Sequence, residues 1–83
     1  MDMKVKLFYR TQRELATALN ELIDGYFDET IDEPVLIKGV TNMYENNRNK
    51  LIKDGGFTTV VQQQCGKRRL EIVERILSMD IVE

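Results

Sequence analysis

The chain has 83 residues, 42% of them hydrophobic and 31% charged, with a formal net charge of −2. That length makes one domain with a modest core, and so many apolar residues with so little net charge exclude disorder. A slightly acidic chain has no electrostatic reason to coat phosphate backbones, and no run approaches the roughly 18 apolar residues of a membrane span.

Residues 1–10 are expected as an extended N-terminal segment and 11–83 as a helical core. In Lys4–Tyr9, Val5, Leu7 and Tyr9 alternate with Lys4, Lys6 and Phe8, a period of two that predicts a short strand or extended arm. Charges among the apolar residues of Met1–Arg10 argue against a signal peptide. Thr11-Gln12-Arg13-Glu14 fits a capping box, a hydroxyl followed three residues on by an acid that can reach back. Leu15, Leu19, Leu22 and Tyr26 follow at helical spacing, flanked by Ala18, Ile23 and Phe27. The first helix is predicted over Gln12–Tyr26, weakened at its end by Gly25.

Asp28–Glu33 reads as an acidic turn. Pro34 belongs in the first turn of a helix, where its missing N–H costs nothing, and Asp32 or Glu33 suits the positive end of that helix's dipole. The second helix is predicted over Glu33–Glu45, with Val35, Leu36, Val40, Met43 and Tyr44 repeating every three or four residues. Asn46, Asn47 and Asn49 loosen it. Leu51 and Ile52 add a half-turn before Asp54-Gly55-Gly56, the clearest break in the chain.

Thr59-Val60-Val61-Gln62 fits a second capping box. Val61, Cys65, Ile72 and Ile76 share one helical face, broadened by Leu70, Val73 and Leu77. One long helix over Thr59–Met79 is predicted, weak at Gly66, with two helices joined there as the alternative. The fold class is therefore mainly α: a compact three-helix domain with a short N-terminal extended segment. Leu19, Leu22, Val40, Val61, Ile72, Val73 and Ile76 are its expected core.

The chain has no histidine and one cysteine. No Ser–His or Cys–His nucleophile can be assembled, and neither a histidine-containing zinc site nor a thiolate cluster is available. Carboxylate chemistry needs a deep pocket that so small a domain struggles to supply. The expectation is no enzyme, no cofactor and no metal. Cys65 cannot close an internal disulfide and lies on an apolar face, so a reducing, cytoplasmic compartment and a buried thiol are expected.

Tyr9–Ala16, Tyr44-Glu45-Asn46-Asn47, Phe57-Thr58-Thr59-Val60 and Gly66–Glu71 together resemble a family of short, uncharacterised proteins of Firmicute bacteria. The likeness extends over nearly the whole chain. It implies a bacterial single-domain protein and carries no activity, ligand or site residues.

Two charged segments remain as candidate surfaces. Asp24, Asp28, Glu29 and Asp32, with Glu21 and Glu33, form an acidic stretch unbroken by Lys or Arg. It fails as a calcium loop, because Glu29 stands where the sharp-turn Gly belongs and Val35 where the bidentate acid belongs. A solvated turn or an acidic partner surface are its readings. Lys67, Arg68 and Arg69 follow Gln62, Gln63 and Gln64, and Arg48, Lys50 and Lys53 lie upstream. Gln and Arg read adenine and guanine in a major groove, and Tyr44–Gln64 overlays partly on a helix-turn-helix, with Leu51 and Ile52 where a small residue is wanted. Alternatively, Arg68 and Arg69 pair with Glu71 or Glu74 at helical spacing, or lie over the core. Gly55–Thr59 could hold an anion but lacks the spacing and Lys of a phosphate loop.

The leading functional reading is a non-enzymatic protein-interaction or regulatory module, with a protein partner or a homo-oligomer formed by the basic patch of one copy on the acids of another. The alternative is a small DNA- or RNA-binding regulator using Gln62, Gln63, Lys67, Arg68 and Arg69.

Overall fold

The computed structural model describes residues 9–81. The strand or arm expected over Lys4–Tyr9 lies, apart from Tyr9, outside the described residues. Within them the order is α1 (Gln12–Phe27), α2 (Glu33–Asn46), α3 (Arg48–Leu51), β1 (Ile52–Lys53), β2 (Gly56–Phe57) and α4 (Thr59–Ile81). The fold is mainly α, as expected, with a one-turn helix and a hairpin added between the second and third predicted helices.

Helix α1 begins where the capping signal places it. The Thr11 hydroxyl oxygen accepts from the Glu14 N–H at 3.0 Å. The Glu14 carboxylate reaches back to the Arg10 N–H at 3.1 Å, one residue before the cap. Leu15, Ala16, Leu19, Leu22 and Ile23 face the core. Beyond the helix, the N–H groups of Thr30 and Ile31 both donate to the Gly25 carbonyl, folding buried Ile31 back over α1. A Cβ on Gly25 would lie 2.7 Å from Ile31 Cδ1. The glycine that weakens the helix end thus makes room for the turn that follows.

Asp32 caps α2 by accepting from the Val35 N–H at 3.3 Å, with Pro34 in the first turn. Leu36, Gly39, Val40 and Met43 form its buried face. Gly39 meets Leu22 so closely that an added Cβ would stand 2.6 Å from a Leu22 methyl, which brings α1 and α2 together.

The connection is organised by Asn47, which is buried. Its side-chain oxygen accepts from the Tyr9 N–H at 3.1 Å, and its amide donates to the Met43 carbonyl at 3.1 Å. Its own carbonyl receives the Lys50 and Leu51 N–H groups. One residue therefore joins Tyr9 and the end of α2 through its side chain, and the start of α3 through its backbone carbonyl. Leu51, expected in a loose half-turn, ends α3 fully buried, and Ile52 already lies in β1. Strands β1 and β2 pair antiparallel, with Ile52 opposite Phe57 and Lys53 opposite Gly56. Asp54 (φ 54°) and Gly55 (φ 84°) supply the two positive φ values that a two-residue hairpin requires.

Helix α4 starts differently from its predicted capping box. Thr59 is already helical, and buried Thr58 precedes it, its hydroxyl donating to the Lys50 carbonyl at 2.9 Å. Gln62 donates its side-chain amide to the Phe57 carbonyl at 2.6 Å. The hydroxyl expected to cap α4 is thus displaced by one that ties it to α3. The long-helix prediction gives way to its alternative at Gly66, where φ 83°, ψ 164° breaks the helix. The break shifts the phase of the apolar face. Val61 and Cys65 are buried before it and Leu70, Val73, Ile76 and Leu77 after it. Ile72, expected in the core, is half-buried and lines a shallow hollow of about 190 Å³ with Tyr26, Leu36, Ile37 and Ile76.

Candidate interaction surface

The kink in α4 creates a local demand. A helix broken at one residue leaves preceding carbonyls without their usual N–H partners four residues on. Two of them are met by side chains. The Gln64 carbonyl accepts from Asn20 Nδ2 at 2.9 Å, and the Cys65 carbonyl from Arg69 Nη1 at 3.0 Å. Arg69 then turns its remaining nitrogens to α1: Nε donates to Asp24 Oδ1 and Nη2 to Asp24 Oδ2, each at 3.0 Å. This fork-on-fork geometry fixes direction as well as distance. The hydrogen bond to Asp24 raises the Arg69 pKa, so the guanidinium stays charged. The side chains of Arg69 and Asp24 are 33% and 46% exposed, which places the pair at the rim of the core.

Cys65 lies beneath this clasp. It is 3% exposed, and its thiol donates to the Ala16 carbonyl at 3.8 Å. Burial pushes its pKa up to about 11, against a smaller lowering by Arg69. A neutral, covered thiol is a poor nucleophile.

Beside the clasp, the Phe27 ring is 43% exposed, although the apolar pattern of α1 assigns it to the flank of the core. The Arg68 guanidinium lies over this ring, 5.5 Å from its centroid, and Tyr26 stands beside it at 6.2 Å. Asp24, Phe27, Cys65, Gly66, Lys67, Arg68 and Arg69 line one open surface groove. Among the described residues Lys67, Asp28 and Glu29 form no ion pair.

The structure thus joins one predicted acid, Asp24, to one predicted base, Arg69, within a single chain. Lys67 and Arg68 lie on the same groove. Asp28 and Glu29 are exposed just beyond Phe27, and Asp32 is occupied in capping α2. Gln62 and Gln63 are exposed before the kink, and Gln62 lines a second surface hollow together with Lys67, Glu71 and Glu74. The pairing of Arg69 across to α1 replaces the helical-spacing pairing with Glu71 or Glu74, because the kink leaves a carbonyl and a carboxylate in its reach. Arg48, from the second basic group, lies over the Tyr44 ring at 5.3 Å. Among the described residues no group of three His, Cys, Asp or Glu side chains could hold a metal ion, and no helix is long and apolar enough to cross a membrane.

Sequence reasoning missed Phe27, Asn20 and Asn47. The position of Phe27 at the last residue of an amphipathic stripe, directly before an acidic turn, is the signal that could have marked it as exposed. Nothing local marks Asn20, whose partner is 44 residues away.

The class defined by these observations is a small helical domain whose side-chain hydrogen bonds mostly serve its own turns and helix ends. The chain belongs to a family described as a conserved hypothetical protein, whose model matches residues 6–78. No curated protein and no solved structure matches it.

Proposed function

We propose that the chain is a non-enzymatic protein-interaction module of the reducing cytoplasm, docking through the surface centred on Phe27. The observation that carries this reading is the exposed aromatic ring at the end of α1, with Arg68 over it, Lys67 on the same groove, and exposed Asp28 and Glu29 following it in the chain. Aromatic residues and Arg are the side chains that concentrate binding energy at interfaces. A guanidinium stacked on a ring is held in place, so less side-chain freedom is lost on docking. The buried thiol with its raised pKa and the absence of histidine support a role without chemistry.

Nucleic-acid binding through Gln62–Arg69 has weaker support. Gln62 and Lys67 line one surface hollow, but the acids Glu71 and Glu74 share it, Gln62 is engaged by Phe57, and Arg69 is engaged by Asp24. The test is affinity capture from a nuclease-treated lysate of the source cells, with the wild type beside Phe27→Ser. The expected result is a protein captured by the wild type and lost with the variant. Saturable DNA or RNA binding that weakens steeply with salt, with no protein captured, would replace this reading with the nucleic-acid one.

A further inference from the structure

We infer that the partner for this surface is a second copy of the same chain, docked about a two-fold axis that passes near Phe27. The inference rests on the docking surface proposed above and names its occupant. Arg68 lies over Phe27 and Lys67 lines the same groove, while exposed Asp28 and Glu29 follow Phe27 in the chain outside that groove's lining. The exposed ring therefore lies where two bases of the groove give way to two acids outside it. A two-fold contact sets a patch against itself in reversed orientation. Placed that way, Lys67 and Arg68 of each copy meet Asp28 and Glu29 of the other, and the two Phe27 rings meet at the centre. A surface neutral in sum but polar from side to side is complementary to its own rotated image. A purely basic or purely acidic patch would repel its copy. The internal pairing of Asp24 with Arg69 takes those two charges out of the contact and leaves two bases and two acids for it.

The experiment is sedimentation equilibrium across a concentration series, with Phe27→Ser, the double variant Lys67→Glu/Arg68→Glu and the double variant Asp28→Lys/Glu29→Lys. Circular dichroism checks the fold of each. The wild type is expected to dimerise, more weakly as salt rises. Each variant is expected to raise the dimer dissociation constant about tenfold or more, a difference of roughly 1.4 kcal/mol. An equimolar mixture of the two charge-reversed chains is expected to recover the dimer, because both cross-contacts then join opposite signs. A wild type that stays monomeric at every concentration, or a dimer indifferent to all three changes, overturns the inference. A monomer that still captures a different protein through Phe27 overturns the second copy and leaves the proposed function standing.

Discussion

At Gly66, replacement by Ala separates a continuous helix from a broken one by the sign of its effect. In an unbroken helix, Gly→Ala stabilises by about 1 kcal/mol. At φ 83°, ψ 164° a side chain is strained, and the same change is expected to destabilise by about 1–3 kcal/mol. Nothing lies within 4 Å of a Cβ built there, so the effect measured by urea titration is backbone strain rather than a clash. Cys65 gives a second test at this scale. Its thiol pKa is raised to about 11 from an ordinary value near 9, so the folded state holds the proton more tightly than the unfolded state. Its contribution to stability is flat below about pH 9 and is lost as pH rises from there through about 11. Native protein at neutral pH is expected to resist a disulfide-exchange reagent, and urea-unfolded protein to react at once.

Among the elements, the start of α1 and the start of α2 are legible in the sequence because each uses a cap within four residues of the element it begins. The start of α4 is misread because its hydroxyl is engaged by α3 rather than by its own helix. The hairpin is missed because strands of two residues carry no alternation to detect. Asn47 is the strongest test of how the elements are joined. Asn47→Ala removes two side-chain hydrogen bonds in a buried place and leaves the Tyr9 N–H without that acceptor. A loss of about 1–3 kcal/mol is expected, measured by thermal or urea unfolding. A change as small as that of an exposed substitution would show that Tyr9 is not held there. The break in α4 also alters what its core residues are worth. Leu19→Ala, at a fully buried site, is expected to lose about 2–5 kcal/mol. Ile72→Ala is expected to lose distinctly less, since the phase shift after Gly66 leaves Ile72 half-buried and Val73 in the core.

For the whole molecule, the acidic segment predicts behaviour toward metal. Asp32 is used as a cap, Asp24 is held by Arg69, and Asp28 and Glu29 stand on the surface. With no set of converging oxygens among the described residues, calcium is expected to leave the melting temperature unchanged beyond the effect of equal ionic strength. A saturable, calcium-specific rise would contradict that arrangement. The Asp24–Arg69 pair also bears on the charge segments as a whole. Two patches that look separate in the chain are partly closed on each other in space, and the charge left for a partner is smaller than the sequence suggests.

The sequence by itself determined the helical class, the extents of α1 and α2 to within one residue, most of the core and the weak point at Gly66. These rest on periodicity and caps, which are properties of neighbouring residues. Only the tertiary structure decided that α4 bends, that Arg69 serves Asp24 rather than Glu71 or Glu74, that Phe27 faces out and that Asn47 joins three segments. The reason is physical. A broken helix needs outside donors for its carbonyls, and those donors come from wherever packing brings another element within about 3 Å. Here Asn20 of α1 donates to the Gln64 carbonyl, while Asp24 of α1 accepts from Arg69 and so holds that side chain on the Cys65 carbonyl; each α1 residue lies more than 40 positions from the residue it meets, a separation that no local pattern encodes.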